Sequence, residues 1–243
     1  MSSIYVSDDL SSLVTYYDTS RKSSSNIEVG QIVYTPVVYE NRRQNVIEVQ
    51  RSDSTSHNRT THIFRPLVDE TDFRKKDRLP IAALSLGETE ELLAIRAKQR
   101  PCLVIAKIDG VHPSTLPEGT QRNKALNAFD GMYLLAPIFS VSNGFKETCF
   151  GSVMTARVRC MMYPEFVYAP PIKPALDVGG VIRLDRFFWS HLVACTEPYD
   201  IFATQEILGV CWSQIQIMNG TKPSDEYIEL RDILLSYLPK ECR

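Results

Sequence analysis

Apolar and polar positions change their spacing once along the chain. Between residues 30 and 185 the apolar side chains come in short runs, rich in β-branched and aromatic residues and separated by turn residues. Ile32, Val33, Tyr34, Val37, Val38 and Tyr39 predict a first strand, with Pro36 marking a bend or an edge. Residues 46–49 offer it a hairpin partner. Residues 51–80 are polar and irregular, with room for a short strand at 61–64. Ser85-Leu86-Gly87-Glu88 has the spacing of a capping box, and Leu92, Leu93 and Ile95 then predict a short helix over 89–98, stopped at Arg100-Pro101. Further strands are predicted at 102–108, 132–138, 165–168 and 181–185. Residues 146–162 read two ways. Met154, Ala156, Val158, Cys160 and Met162 alternate as in a strand, while the length and the straight-chain residues fit a helix. Beyond residue 205 the spacing turns helical, through Ile207, Leu208, Cys211, Trp212, Ile215 and Met218. Ser224 caps a second helix, whose apolar face is Tyr227, Leu230, Ile233, Leu234, Tyr237 and Leu238, and Pro239 ends it.

Short strands followed by two helices predict an α+β chain: a small antiparallel β-barrel with helical insertions and two C-terminal helices. The serine-rich stretch 1–26 reads as a partly ordered leader with a short docked element over 10–17. Hydrophobic residues make up 44% and charged residues 23% of the 243, the usage of a packed domain, which excludes a wholly disordered chain or a coiled coil. The net charge of −2 changes the picture more, because it excludes nucleic-acid binding by bulk electrostatics and leaves only a local patch to do it. The longest nearly apolar run, 132–139, is far short of the ~20 residues of a membrane span. No basic stretch followed by an apolar one opens the chain, so no secretory signal is read. The six cysteines are dispersed without a C-x-x-C pair, which fits free thiols in a reducing cytoplasm. The four histidines lack zinc-ligand spacing, so neither a metal nor another cofactor is expected.

Five fragments stand in order along the chain: Gly30-Gln31-Ile32-Val33-Tyr34, Gln99-Arg100-Pro101-Cys102-Leu103-Val104-Ile105, Leu135-Ala136-Pro137-Ile138-Phe139-Ser140, Tyr163-Pro164-Glu165-Phe166-Val167 and Gly180-Val181-Ile182-Arg183-Leu184-Asp185-Arg186. In that order they resemble strands of the MazF/PemK/Kid family of toxin ribonucleases. The resemblance implies an SH3-like barrel over 27–198, with insertions near 41–95, 109–130 and 141–162, and a helical segment over 199–243 packed on it. It also implies a homodimer, cleavage of single-stranded RNA without metal, and a cognate antitoxin as partner.

Such cleavage uses the 2'-hydroxyl against the adjacent phosphate, so it needs a base, donors for the phosphorane charge and an acid for the leaving oxygen. The resemblance makes Asp185 the proton acceptor and Arg183 the proton donor or charge stabiliser, and places Arg100 at the phosphate groove. Two positions apart on a strand, Arg183 and Asp185 are expected on one face. The family's phosphate-binding threonine falls on Phe139 or on Ser140, depending on register. Some Kid-like members carry a catalytic histidine in the region that here holds His57 and His62. Phe187 and Trp189 are candidates to stack unpaired bases, and Lys75 to touch phosphate. The alternative expectation is a catalytically inactive barrel of the same fold that binds RNA or a protein partner.

Overall fold

The computed structural model describes residues 6, 8–24, 26–38, 44–51, 55, 60–74, 89–109, 130–141, 150–192 and 194–243. They divide into two units, 1–36 with 99–243, and 37–98. In chain order the elements are α1 (Leu10–Leu13), β1 (Tyr17–Asp18), β2 (Gln31–Val38), β3 (Asn45–Arg51), β4 (Thr60–Pro66), β5 (Leu92–Ala94), β6 (Ala97–Asp109), β7 (Asp130–Ser140), α2 (Ser152–Arg159), β8 (Phe166–Ala169), β9 (Gly180–Arg183), β10 (Phe188–His191), β11 (Glu197–Ala203), α3 (Gln205–Met218) and α4 (Asp225–Ser236). Single 3-10 turns cover Leu184–Arg186 and Lys240–Cys242. The chain is α+β, and its larger sheet curls into an antiparallel half-barrel.

That sheet has the order β1-β11-β2-β6-β7-β9-β8, with β10 also on β7. One edge of β7 pairs with β6, from Cys102↔Pro137 onward. Its other edge is shared: β9 covers Ile138 to Ser140 and β10 covers Met132 to Leu135. Between them, among the described residues, Ala136 and Pro137 have no strand partner on that edge, and there the backbone alongside runs through the 3-10 turn Leu184–Arg186. Proline has no N–H to add to a ladder, so a break opposite Pro137 is inexpensive.

Alternation along these strands separates two hydrophobic faces. Leu103, Ile105, Leu134, Ala136, Ile138, Val167 and Ile182 enter the main core, with Ile207, Leu208, Cys211 and Ile215 of α3 and Tyr227 and Leu234 of α4. Phe139, Val181, Phe166 and Tyr168 face a second cluster, with Val141, Phe150 and Val158. Residues 146–162 contain a helix at α2, which packs against the edge strand β8. Its Ala156 joins the main core, while its Met154 and Val158 join the second cluster.

The stretch 1–26 contributes more than a docked element. Val6, Leu10 and Tyr16 are buried in the main core, and Asp9 caps α1 while its carboxylate pairs with Arg159 of α2. β1 pairs with β11, so the segment 199–243 is not wholly helical: β11 inserts between β1 and β2 before α3 begins. α4 starts at Ser224, whose side chain accepts the Tyr227 N–H at 3.2 Å.

The unit 37–98 is a three-stranded sheet of order β4-β3-β5. All seven residues of β3 pair with β4, so residues 46–49 are not the hairpin partner of β2. Arg65 donates to Glu48 at 2.7 Å and to Asp72 at 2.7 Å, and Asp72 also accepts the Val68 N–H at 2.8 Å. The expected helix over 89–98 is absent: Leu92–Ala94 is β5, paired with Asn45 to Ile47, and β6 begins at Ala97. A helix of about ten residues is marginal by itself, and the second edge of β3 wins those residues by pairing. The capping tetrapeptide at 85–88 lies outside the described residues.

Candidate functional site

Three guanidinium groups converge on one aromatic ring. Arg100 lies 4.2 Å from the centroid of Phe139, Arg186 5.5 Å and Arg183 5.7 Å. The register explains how. Cys102 faces Pro137 across the β6–β7 ladder, so Arg100, two residues earlier, comes opposite Phe139. Phe139 faces Val181 across β7–β9, which makes Arg183 its diagonal neighbour. Arg183 in turn faces Phe166 across β8–β9, with its guanidinium 4.8 Å from that ring and 5.9 Å from Phe150.

Arg183 and Asp185 form a two-pronged pair: Nε donates to Oδ1 at 2.6 Å, and Nη2 donates to Oδ2. The Arg183 side chain is 14% exposed and that of Asp185 33%. The expected strand alternation is not what joins them: β9 ends at Arg183, and Asp185 reaches it from the 3-10 turn that interrupts the β9–β10 edge. The same turn carries Arg186 to the cluster. Each cation over an aromatic face contributes about 0.5–2 kcal/mol, depending on how much water it has lost. Burial pushes the nearby Cys102 thiol well up, with the Arg100 charge pulling the other way.

Of the expected site residues, Arg100, Arg183 and Asp185 come together. Ser140 does not join them. It pairs with Gly180 and lies on the opposite side of β7 from Phe139, so the family's hydroxyl position falls on a ring at this face. Phe187 and Trp189 are 40% and 44% exposed. Trp189, however, faces Leu134, a residue of the main core, so it belongs to the other side of the sheet from Phe139. Lys75 and His57 lie outside the described residues, and His62 is exposed on β4 in the smaller unit. The sequence reading missed Arg186 and the central part of Phe139. Pro137 in the facing strand was the available signal, because it marks where the edge strand breaks and turns its side chains.

Among the described residues no group of three His, Cys, Asp or Glu side chains could hold a metal ion, and no helix is long and apolar enough to cross a membrane. The cluster offers planar, multiply donating cations, of which Arg183 is paired with the carboxylate of Asp185. That chemistry suits a phosphate oxygen, which a guanidinium fork meets with two parallel hydrogen bonds. No family model matches the chain, and neither a curated protein nor a solved structure is significantly similar to it.

Proposed function

We propose that this chain binds single-stranded RNA through its phosphodiester backbone, at the surface formed by Arg100, Arg183 and Arg186, and does so without cleaving it. The observation that carries the reading is the convergence of the three guanidinium groups on Phe139. A chain with a net charge of −2 binds RNA only where cations are gathered locally, and this is such a place. The five MazF/PemK/Kid-like fragments support the same site. They fall on or beside β2, β6, β7, β8 and β9, which are consecutive neighbours in one sheet. On this reading the half-barrel is a divergent SH3-like barrel, and a second copy and a protein shielding the arginines are its further partners.

Binding is favoured over cleavage because the hydroxyl of Ser140 lies across the sheet. Asp185 favours the second reading, in which its carboxylate accepts the 2'-hydroxyl proton at the same site. One experiment separates them. A fluorescently labelled RNA of mixed sequence is titrated with the protein in chelator, and then run on a denaturing gel. The expected result is saturable binding with intact RNA, weakened about tenfold or more by Arg183→Ala, the loss of one charged contact. Fragmentation that Asp185→Asn abolishes would establish cleavage instead. No binding at ~100 μM protein would reject both, since even non-specific nucleic-acid binding reaches that range.

A further inference from the structure

We propose that Cys160 and Cys242 are a thiol pair that closes to a disulfide under oxidation and pins the turn Lys240–Cys242 to α2. Both residues are free thiols, wholly buried in the same core cluster. Cys160 caps α2, its N–H donating to the Ala156 carbonyl at 3.2 Å. Arg157 lies three positions earlier and so on the same helix face. Its Nε donates to the carbonyl of Cys242 at 2.7 Å, and its Nη1 donates to the Tyr163 hydroxyl at 3.1 Å. The turn Lys240–Cys242 packs on α2. One face of α2 therefore presents Cys160 beside the residue that grips Cys242. Burial, Asp9 and then Cys242 hold the Cys160 thiol up, to about 11, while Arg159 acts in the opposite sense.

The chemistry needs an oxidant, and a small-molecule disulfide supplies it. A local opening of the turn exposes one thiol. Its thiolate attacks one sulfur of the small disulfide, forming a mixed disulfide and releasing one small thiolate. The thiolate of the second cysteine then attacks the protein sulfur of that mixed disulfide and expels the other small thiolate. The two protons lost by the protein end on the two released thiols, so the protein loses two hydrogens and the oxidant is reduced by two electrons. The bond would fix α2, whose Met154 and Val158 pack in the cluster that also holds Phe150 and Phe166 beneath Arg183. This pairing stands independently of the RNA reading.

The test incubates the full chain under native conditions with oxidised glutathione, then maps its peptides without reduction. The expected product is monomeric, lighter by two hydrogens, and joins the peptides of Cys160 and Cys242. Its melting temperature rises by about 5 °C or more, as closing a long loop predicts, and dithiothreitol reverses the shift. Cys242→Ser abolishes both the bond and the shift. If that variant fails to fold, the peptide map of the unsubstituted chain decides alone. Persistent free thiols at 160 and 242, a stable glutathione adduct, or a bond to any other cysteine overturns the proposal.

Discussion

Arg183 serves the Phe166, Phe139 and Phe150 rings and the carboxylate of Asp185 at once. Only a planar group with several fixed donors can do this, since an ammonium offers charge without the fork. Arg183→Lys is therefore expected to leave the chain folded and to weaken RNA binding about three- to tenfold. Fluorescence anisotropy against one labelled RNA checks it, and an unchanged affinity would mean that Arg183 serves packing alone. Residue types of this sort were readable in advance. Arg100, Arg183 and Asp185 stood out because their chemistry suits phosphate, whatever the local backbone does. Arg186 did not, because strand alternation sends every second side chain to the other face and only the 3-10 turn brings it back. The Ser140 alternative failed for a similar reason. A one-residue difference in register exchanges faces, and sequence spacing alone does not settle register.

The β7–β9 pairing is the element that holds the site together, and it depends on close backbone approach. A Cβ on Gly180 would stand 2.5 Å from Ile138 Cγ2 and 3.1 Å from the Phe139 carbonyl oxygen. Gly180→Ala should thus destabilise the fold by about 1–3 kcal/mol through overpacking, and displace Phe139 relative to Arg183. Urea denaturation gives the first quantity. A midpoint equal to that of the unsubstituted chain would show that the two strands separate easily. Elements with their own apolar pattern were legible: β2, β6, β7, β9, α3 and α4 fall where short runs or helical spacing put them. Those decided by a distant partner were not. Leu92 to Ala94 carries helical spacing but becomes β5, because β3 has an edge to fill. The helix α2 has strand-like alternation, and distant segments tie it, Asp9 at Arg159 and the Lys240–Cys242 turn at Arg157.

At the scale of the molecule, the larger unit draws its core from both ends of the sequence. Val6 and Leu10 meet Leu234 and Cys242 there, a closure that no local pattern announces. Burial leaves a titration signature in that core. Desolvation lifts the Cys211 thiol to about 12 and the Cys160 thiol to about 11, from an ordinary 9.0. Below pH ~9 both states keep these protons and the contribution to stability is complete; above it the unfolded chain loses them while the folded chain does not. Stability should therefore fall by roughly 5–7 kcal/mol as pH rises from 9 to 12, at about 1.4 kcal/mol for each unit by which a thiol is raised, with buried tyrosines adding in the same direction. Chemical denaturation across that range measures it, and a flat profile would show that these thiols ionise as readily folded as unfolded. Salt titration of RNA affinity shows whether arginines gathered at Phe139 hold an RNA backbone. Three phosphate contacts predict that log K falls against log salt with a slope of about −2, and that Arg100→Ala makes it shallower by about 0.7. A slope near zero, or one unmoved by Arg100→Ala, would contradict the RNA reading.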